Sequence, residues 1–296
     1  MDKRSAARIK LLTSMCIWGS IGLFVRNIPL PSSVIANCRG IIGLLFLLLI
    51  MGLKHLRFQW PAIRRNALYL GLSGLMLGFN WILLFEAYRF TTIAAATLCY
   101  YLAPMIVVAL SPIVFGESLN GRKLLCVLAA LGGMVLVSGV AEGGLPDISQ
   151  VRGVLLGLAA AGLYAAIVIC NKKLSGIGGI GGTERTAIQL GISALVLLPY
   201  NLLTTQADFA ALSGTALLLL LVVGVVHTGI CYYLYFGCME DLPSQTVAIL
   251  AYVDPVVAVL LSALVLKEPM TVGMWLGALL IIGAAILLEL PGKKRE

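Results

Sequence analysis

Long apolar stretches separated by short polar connections constrain this chain more than any other feature. Each stretch has the roughly 20 apolar residues that a helix needs to cross the hydrocarbon core of a bilayer. Because a bilayer offers no water to satisfy the backbone, such stretches must be helical. The sequence predicts an all-α integral membrane protein with ten transmembrane helices, at 9–26, 32–53, 66–88, 92–115, 121–140, 153–172, 184–203, 214–237, 244–266 and 270–290.

Composition argues against a soluble protein. Hydrophobic residues make up 60% of the 296 residues and charged residues only 11%, whereas soluble domains are about half apolar and a quarter charged. Most of the charges behind the net charge of +8 lie in connections and termini, so we expect a lipid bilayer and no nucleic acid as a partner. The seven cysteines are scattered through apolar runs without metal-ligand spacing, so neither a metal nor another cofactor is expected.

The distribution of positive charge predicts the orientation. Cytoplasmic connections of membrane proteins retain Lys and Arg. With the N-terminus inside, 16 of the 21 Lys and Arg residues fall on the cytoplasmic side, 4 fall on the other side, and Arg39 lies within a span. We therefore expect a multi-pass plasma (inner) membrane protein with both termini in the cytoplasm.

An internal repeat divides the chain into two halves. At an offset of 151, Tyr101 falls on Tyr252, Pro104 on Pro255 and Glu117 on Glu268, and at an offset of 146 Trp18 falls on Tyr164. The halves, 1–145 and 146–296, would each hold five helices, and an odd number turns the second half upside down in the membrane. Such 5+5 inverted repeats are typical of secondary transporters, which bind solute near the midplane where the halves meet.

These motifs resemble the EamA type of the drug/metabolite transporter superfamily over almost the whole chain. The resemblance rests on Trp18-Gly19, on Asn37-x-Arg39, and on the two blocks that run from Pro104 to Glu117 and from Pro255 to Glu268. It implies that each half is one EamA repeat, that spans 1, 3, 4, 6, 8 and 9 form a central cavity, and that small metabolites, prominently amino acids, are exported.

Ionisable groups inside a bilayer are costly, so each is a candidate for substrate charge or ion coupling. Asp254 precedes Pro255 about 15 Å into its span. We expect it to bind an ammonium group or carry a coupled proton, or else to serve as a fixed partner for Arg39 or for a helix terminus. Arg39 could snorkel to the outer interface, pair with Asp254 or Glu86, or bind a carboxylate.

Four further ionisable groups have a structural interpretation, and two of them, His227 and Glu86, also have a functional one. His227 could shuttle a proton or simply be hydrogen-bonded within the bundle. Glu86 could carry charge for transport or pair with Arg89 one turn away. Glu117 is expected to satisfy free amides at the start of the following helix, and Glu268 likewise.

Aromatic and amide side chains recur in the spans expected to line the cavity. Rings with a polar tip suit an amphipathic solute or a zwitterion, although Tyr and Trp also belong to interfacial belts. The candidate substrate-binding residues are Trp18, Asn80, Trp81, Tyr100, Tyr101, Tyr164, Asn171, Tyr232 and Tyr252.

The leading hypothesis is a secondary transporter, an exporter of small metabolites such as amino acids, that works by alternating access. Since no nucleotide-binding motif is found, a proton or other ion gradient or the substrate's own gradient would drive it. Efflux of drugs or nucleoside-like metabolites is the alternative within this class. An intramembrane enzyme would need paired histidines or carboxylates, and a channel or scramblase a continuous polar stripe. The substrate, its direction of movement, the coupling ion and the oligomeric state stay open.

Overall fold

The computed structural model describes residues 2–25, 27–90, 96, 99–137, 151–177, 179–209, 212–239, 241–265, 267 and 271–289. In these residues every regular element is a helix. The helices are α1 (Lys3–Gly19), α2 (Ile21–Val25), α3 (Ser32–Leu53), α4 (Trp60–Arg65), α5 (Ala67–Phe90), α6 (Ala103–Phe115), α7 (Gly121–Val137), α8 (Val151–Ile177), α9 (Gly182–Thr204), α10 (Gly214–Gly224), α11 (Cys231–Gly237), α12 (Ser244–Leu250), α13 (Val253–Val265) and α14 (Val272–Glu289).

Within the described residues, seven helical stretches are long and apolar enough to cross a membrane. They are Lys3–Val25, Ser32–Leu53, Ala67–Ala87, Val151–Ser175, Gly182–Thr204, Gly214–Gly237 and Ser244–Val265, and two shorter apolar helices cover Ala103–Phe115 and Val272–Leu287. Large apolar side chains such as Leu45, Leu195 and Leu279 are exposed on the outer surface, where a soluble protein would be polar. The chain is an all-α, multi-pass membrane protein.

Four of the predicted spans are interrupted or distorted inside the bundle. The fourth turns at Tyr101–Leu102, immediately before α6. The first breaks at Ser20, between α1 and α2, and the ninth breaks at Ala251–Tyr252, between α12 and α13. The eighth contains a π-helical segment, Val225–Ile230, between α10 and α11. Pro255 follows the break at Ala251–Tyr252. Proline is tolerated in the first turn of a helix because N–H groups there have no intrahelical acceptor, so the N–H that proline lacks costs no hydrogen bond.

The helices pack in pairs that join the two halves of the chain. In one set of contacts α5 packs on α8, α9 on α5, and α8 on α6. In the corresponding set α1 packs on α11, α3 on the π-helical segment, and α1 on α13. α7 meets α14 closely at Gly133, where an added Cβ would lie 2.6 Å from the Gly277 carbonyl oxygen. Glycine at such a point lets two backbones approach within the membrane.

Candidate solute cavity

A cavity of about 520 Å³ lies among α1, α2, α3, α5, α6, α8, α11 and α13. Its volume falls in the usual range for sites that bind small molecules. Eight of the residues singled out from the sequence line it: Trp18, Arg39, Trp81, Tyr100, Tyr101, Tyr164, Tyr232 and Asp254. These residues are far apart in the chain, and the packing of the two halves brings them around one space.

Asp254 presents a carboxylate to this cavity from the first turn of α13. The phenol of Tyr101 donates a hydrogen bond to its Oδ2 at 3.0 Å. A carboxylate is favourable in the first turn of a helix, where backbone N–H groups lack partners. Because α13 starts after the break at Ala251–Tyr252, Asp254 lies in such a first turn, at the positive end of the helix dipole.

Arg39 lines the same cavity from α3, and its guanidinium carbon lies 4.8 Å from the centre of the Trp81 ring. A guanidinium over an indole face is held by cation–π attraction. The side chain thus turns inward instead of snorkelling to an interface, and among the described residues no ion pair joins it to Asp254 or Glu86. Its Nε is buried and bonds to no group in the described part of the chain.

The aromatic wall is built from rings that fix one another. Trp18 packs edge-on against Tyr232 at a centroid distance of 5.2 Å, and Tyr100 packs against Tyr164 at 5.4 Å. The Tyr164 hydroxyl donates to the Tyr235 hydroxyl at 3.2 Å, although Tyr235 itself does not line the cavity. Rings that brace one another in this way form a preorganised wall for a flat or apolar solute group.

Three predicted binding residues lie outside the cavity lining because neighbouring groups satisfy their polar tips. Asn80 is fully buried, donates to the Ala160 carbonyl at 2.7 Å and accepts from Tyr100. Asn171 belongs to a buried polar cluster, where it accepts from Gln189 at 3.1 Å. Tyr252 donates to the Tyr101 carbonyl at 2.8 Å. Asn80 and Tyr252 thus support lining tyrosines, and Asn171 ties helices together elsewhere.

Glu86 and His227 are also absent from the cavity lining. Glu86 pairs with Arg89 at 3.1 Å and accepts from the Tyr200 hydroxyl, beside a separate pocket of about 290 Å³. The pairing that the sequence offered for Glu86 is therefore present, and it leaves Glu86 away from the central site.

His227 holds the wall of the cavity from behind. Its carbonyl accepts the Trp18 indole N–H at 2.7 Å, its Nε2 lies 3.0 Å from the Ser20 hydroxyl, and its ring packs on Phe24. The Ser20 hydroxyl also lies 2.7 Å from the Ile17 carbonyl oxygen, so it connects His227 to the end of α1. The π-helical segment thus clamps both sides of the break in the first span.

The helix predicted to be capped by Glu117 was wrong. Glu117 accepts hydrogen bonds from the backbone amides of Ser244 and Gln245, at the start of α12, and not from the helix that follows it. A sequence pattern cannot distinguish a local cap from one on a distant helix. Glu268 lies outside the described residues.

Several lining residues were not predicted to contact the substrate: Met15, Gly19, Ile21, Gly22, Leu84, Phe85, Pro104, Ala251 and Ala258. Most lie three or four positions from a predicted residue: Met15 is three and Gly22 four positions from Trp18, and Ala251 is three from Asp254. Residues at these spacings share one helix face. The helical period could therefore have identified these residues. They were missed because most are apolar and do not stand out in an apolar span.

Apolar helices long enough to cross a bilayer surround a cavity of small-molecule size, and this defines the class: a multi-pass membrane protein that handles a small solute. The model of the EamA-like transporter family matches residues 6–139 and again residues 151–290. The chain therefore belongs to the EamA-like transporter family and is a membrane transporter. The resemblance inferred from the sequence motifs is confirmed, and the family is one of transporters, not enzymes.

Relatives of this chain extend over most of its length. It is 30% identical to the uncharacterized transporter YxxF of Bacillus subtilis (strain 168) over 264 aligned residues, and this alignment covers 88% of this chain and 81% of that protein. It is 25% identical over 305 residues to the uncharacterized inner membrane transporter YicL of Salmonella typhimurium (strain LT2), covering 100% and 99%. A solved crystal structure shares the fold with a TM-score of 0.82 at 20% identity, covering 96% of each chain.

Proposed function

We propose that this protein is a secondary transporter that exports small metabolites such as amino acids by alternating access. The observation that carries the proposal is the pair of opposite charges, Asp254 and Arg39, on one aromatic-walled cavity. A zwitterion has an ammonium group for the carboxylate and a carboxylate for the guanidinium, and its side chain fits the ring surfaces. Efflux of a drug or nucleoside-like metabolite, which would use the rings more than the charges, is the alternative.

We propose that the fold is a ten-helix 5+5 inverted repeat with halves 1–145 and 146–296. Two observations support this division. The family model matches the chain twice, once in each half. The packing also repeats under exchange of the halves, since α5 on α8 corresponds to α11 on α1, and α9 on α5 corresponds to the π-helical segment on α3.

The proposed location is the inner membrane, with both termini in the cytoplasm. The excess of Lys and Arg in alternate connections supports this orientation. A full-length relative described as an inner membrane transporter supports the compartment. In this orientation Glu117 and the start of α12 lie at the cytoplasmic end of the bundle.

We propose that Asp254 is the charge on which transport depends, either by binding the substrate's ammonium group or by carrying a coupled proton. It faces the cavity, and one phenol, that of Tyr101, donates to it. The first half has Ala103 at the equivalent position. The repeat therefore does not need a carboxylate there for folding, which favours a role in transport.

The test is uptake of labelled amino acids into proteoliposomes with and without an imposed pH gradient. Wild type is compared with Asp254→Asn and with Asp241→Asn, whose carboxylate is exposed outside the cavity. We expect saturable uptake that responds to the gradient in the wild type and in the Asp241 variant, and loss of uptake or of that response in Asp254→Asn. No uptake of any amino acid would contradict the proposal and favour drugs or nucleoside-like metabolites, and full activity of Asp254→Asn at every pH would remove Asp254 from the mechanism.

A further inference from the structure

Glu117 caps a helix that belongs to the other half of the chain. It follows Gly116, whose left-handed conformation (φ 65°) ends α6. Its Oε1 accepts the amide N–H of Ser244 at 2.8 Å, and its Oε2 accepts the amide N–H of Gln245 at 3.3 Å. These amides have no intrahelical acceptor because they belong to the first turn of α12. The carboxylate thus joins the end of one helix to the start of another in the opposite half.

A second hydrogen bond reinforces this junction. The side-chain amide of Gln245 donates to the Ser111 hydroxyl on α6, and Ser111, Ser244 and Gln245 are all buried. Hydrogen bonds to a charged acceptor, and bonds between buried polar groups, are lost only with a large penalty. We call Ser111, Glu117, Ser244 and Gln245 the α6–α12 seam.

The seam lies on the same two chain segments as the central cavity, but further toward one end. Pro104 on α6 lines the cavity seven residues before Ser111, and Ala251 lines it six residues after Gln245. At 1.5 Å per residue these separations correspond to about 10 Å. The seam therefore closes the space between α6 and α12 about two helical turns beyond the cavity.

We infer that Glu117 is a positioning residue for transport: it holds the start of the segment that carries Asp254 against α6, and it must release that segment for the cavity to open at this end. The inference rests on the proposed alternating access and on the proposed cytoplasmic location of this end. An inward-open state requires α6 and α12 to separate, and the contacts of Glu117 exist only while they are together. Glu117 therefore favours the state that is closed to the cytoplasm.

Side-specific thiol labelling tests this inference directly. Ala251→Cys places a thiol on the cavity wall, and a membrane-impermeant thiol reagent is added to inside-out vesicles, where it approaches from the cytoplasmic face. Labelling is read on the peptide that carries position 251, which separates it from the native cysteines. In this background, Glu117→Gln weakens the charged acceptor, and we expect labelling from the cytoplasmic face to rise roughly tenfold as the population shifts.

Asn120→Ala is the matched control. The Asn120 Oδ1 accepts the amide N–H of Lys123 at 2.9 Å at the start of α7, so this change also removes a helix cap at the same end of the molecule but leaves the seam intact. We expect its labelling rate to equal that of the wild type. An equal rise in both variants would mean that general loosening, and not the seam, admits the reagent, and would overturn the inference.

Ser111→Ala provides a second variant in case Glu117→Gln fails to fold, because it removes the other seam hydrogen bond and should change labelling in the same direction. An unchanged cytoplasmic labelling rate in a folded seam variant overturns the inference. Since no substrate is present, that result would leave the uptake experiment on Asp254 unaffected, and the two proposals can fail separately.

Discussion

At the scale of single residues, the two charges in the cavity have different kinds of neighbour. Asp254 receives a hydrogen bond from Tyr101, whereas Arg39 is supported by the face of Trp81. Stacking on a ring leaves the edge of a guanidinium available for a planar anion such as a carboxylate. In the proposed function Arg39 binds the carboxylate of the solute and Asp254 its ammonium group, and each contribution can be tested separately.

Arg39→Ala should discriminate between solutes that differ only by a carboxylate. We expect uptake of a transported amino acid to fall at least tenfold, roughly the value of a hydrogen bond to a charged group, while uptake of the corresponding decarboxylated amine changes little. Competition by each solute against the labelled amino acid measures this in proteoliposomes. Arg89→Ala, which removes a cation paired with Glu86 outside the central cavity, should leave the ratio unchanged, and equal losses for both solutes in Arg39→Ala would contradict a carboxylate-binding role.

At the scale of helices, the apolar pattern predicted most positions well. The prediction of 32–53 coincides with Ser32–Leu53, and that of 214–237 spans α10 to α11, because length and hydropathy alone determine what can cross a bilayer. The breaks at Ser20 and Ala251–Tyr252 and the π-helical segment were missed. In the π-helical segment the His227 carbonyl finds its partner, the Trp18 indole, on another helix, and such a partner cannot be read from a local pattern.

The same limit applies to the candidate site. Large aromatic and charged residues were predictable because a bilayer makes each of them conspicuous. The polar tips of Asn80 and Tyr252 were assigned to substrate, yet they bond to Ala160 and Tyr101. In a dry interior every polar group needs a partner, and whether that partner is a solute or the protein depends on the packing of distant segments.

Two adjacent glycines on α7 give a matched test of helix packing. A Cβ at position 133 would lie 2.6 Å from the Gly277 oxygen on α14, whereas a Cβ at position 132 would meet nothing within 4 Å. Gly133→Ala should therefore lower the free energy of unfolding by about 1–3 kcal/mol through overpacking, and Gly132→Ala should leave it unchanged or raise it through better helix propensity. Thermal unfolding of the purified protein in detergent measures both, and equal stabilities of the two variants would contradict the described α7–α14 contact.

At the scale of the whole molecule, the two halves meet around one cavity and each contributes to its wall. Tyr101, which lines the cavity, packs against Tyr252, with which it aligns at the offset of 151, and the Tyr252 hydroxyl donates to the Tyr101 carbonyl. The α6–α12 seam joins the same halves at one end of the bundle. In the proposed alternating-access mechanism, a rocking motion of one half against the other exposes the cavity first on one side and then on the other.

Counterflow tests the alternating-access claim most directly. Proteoliposomes are loaded with a large excess of unlabelled substrate, diluted into a trace of labelled substrate, and the entry of label is followed with time. A carrier whose site faces one side at a time should take up label faster than unloaded vesicles do and accumulate it transiently above its outside concentration. Entry of label that is equally fast in loaded and empty vesicles, and never exceeds the outside concentration, would indicate a channel and contradict the account.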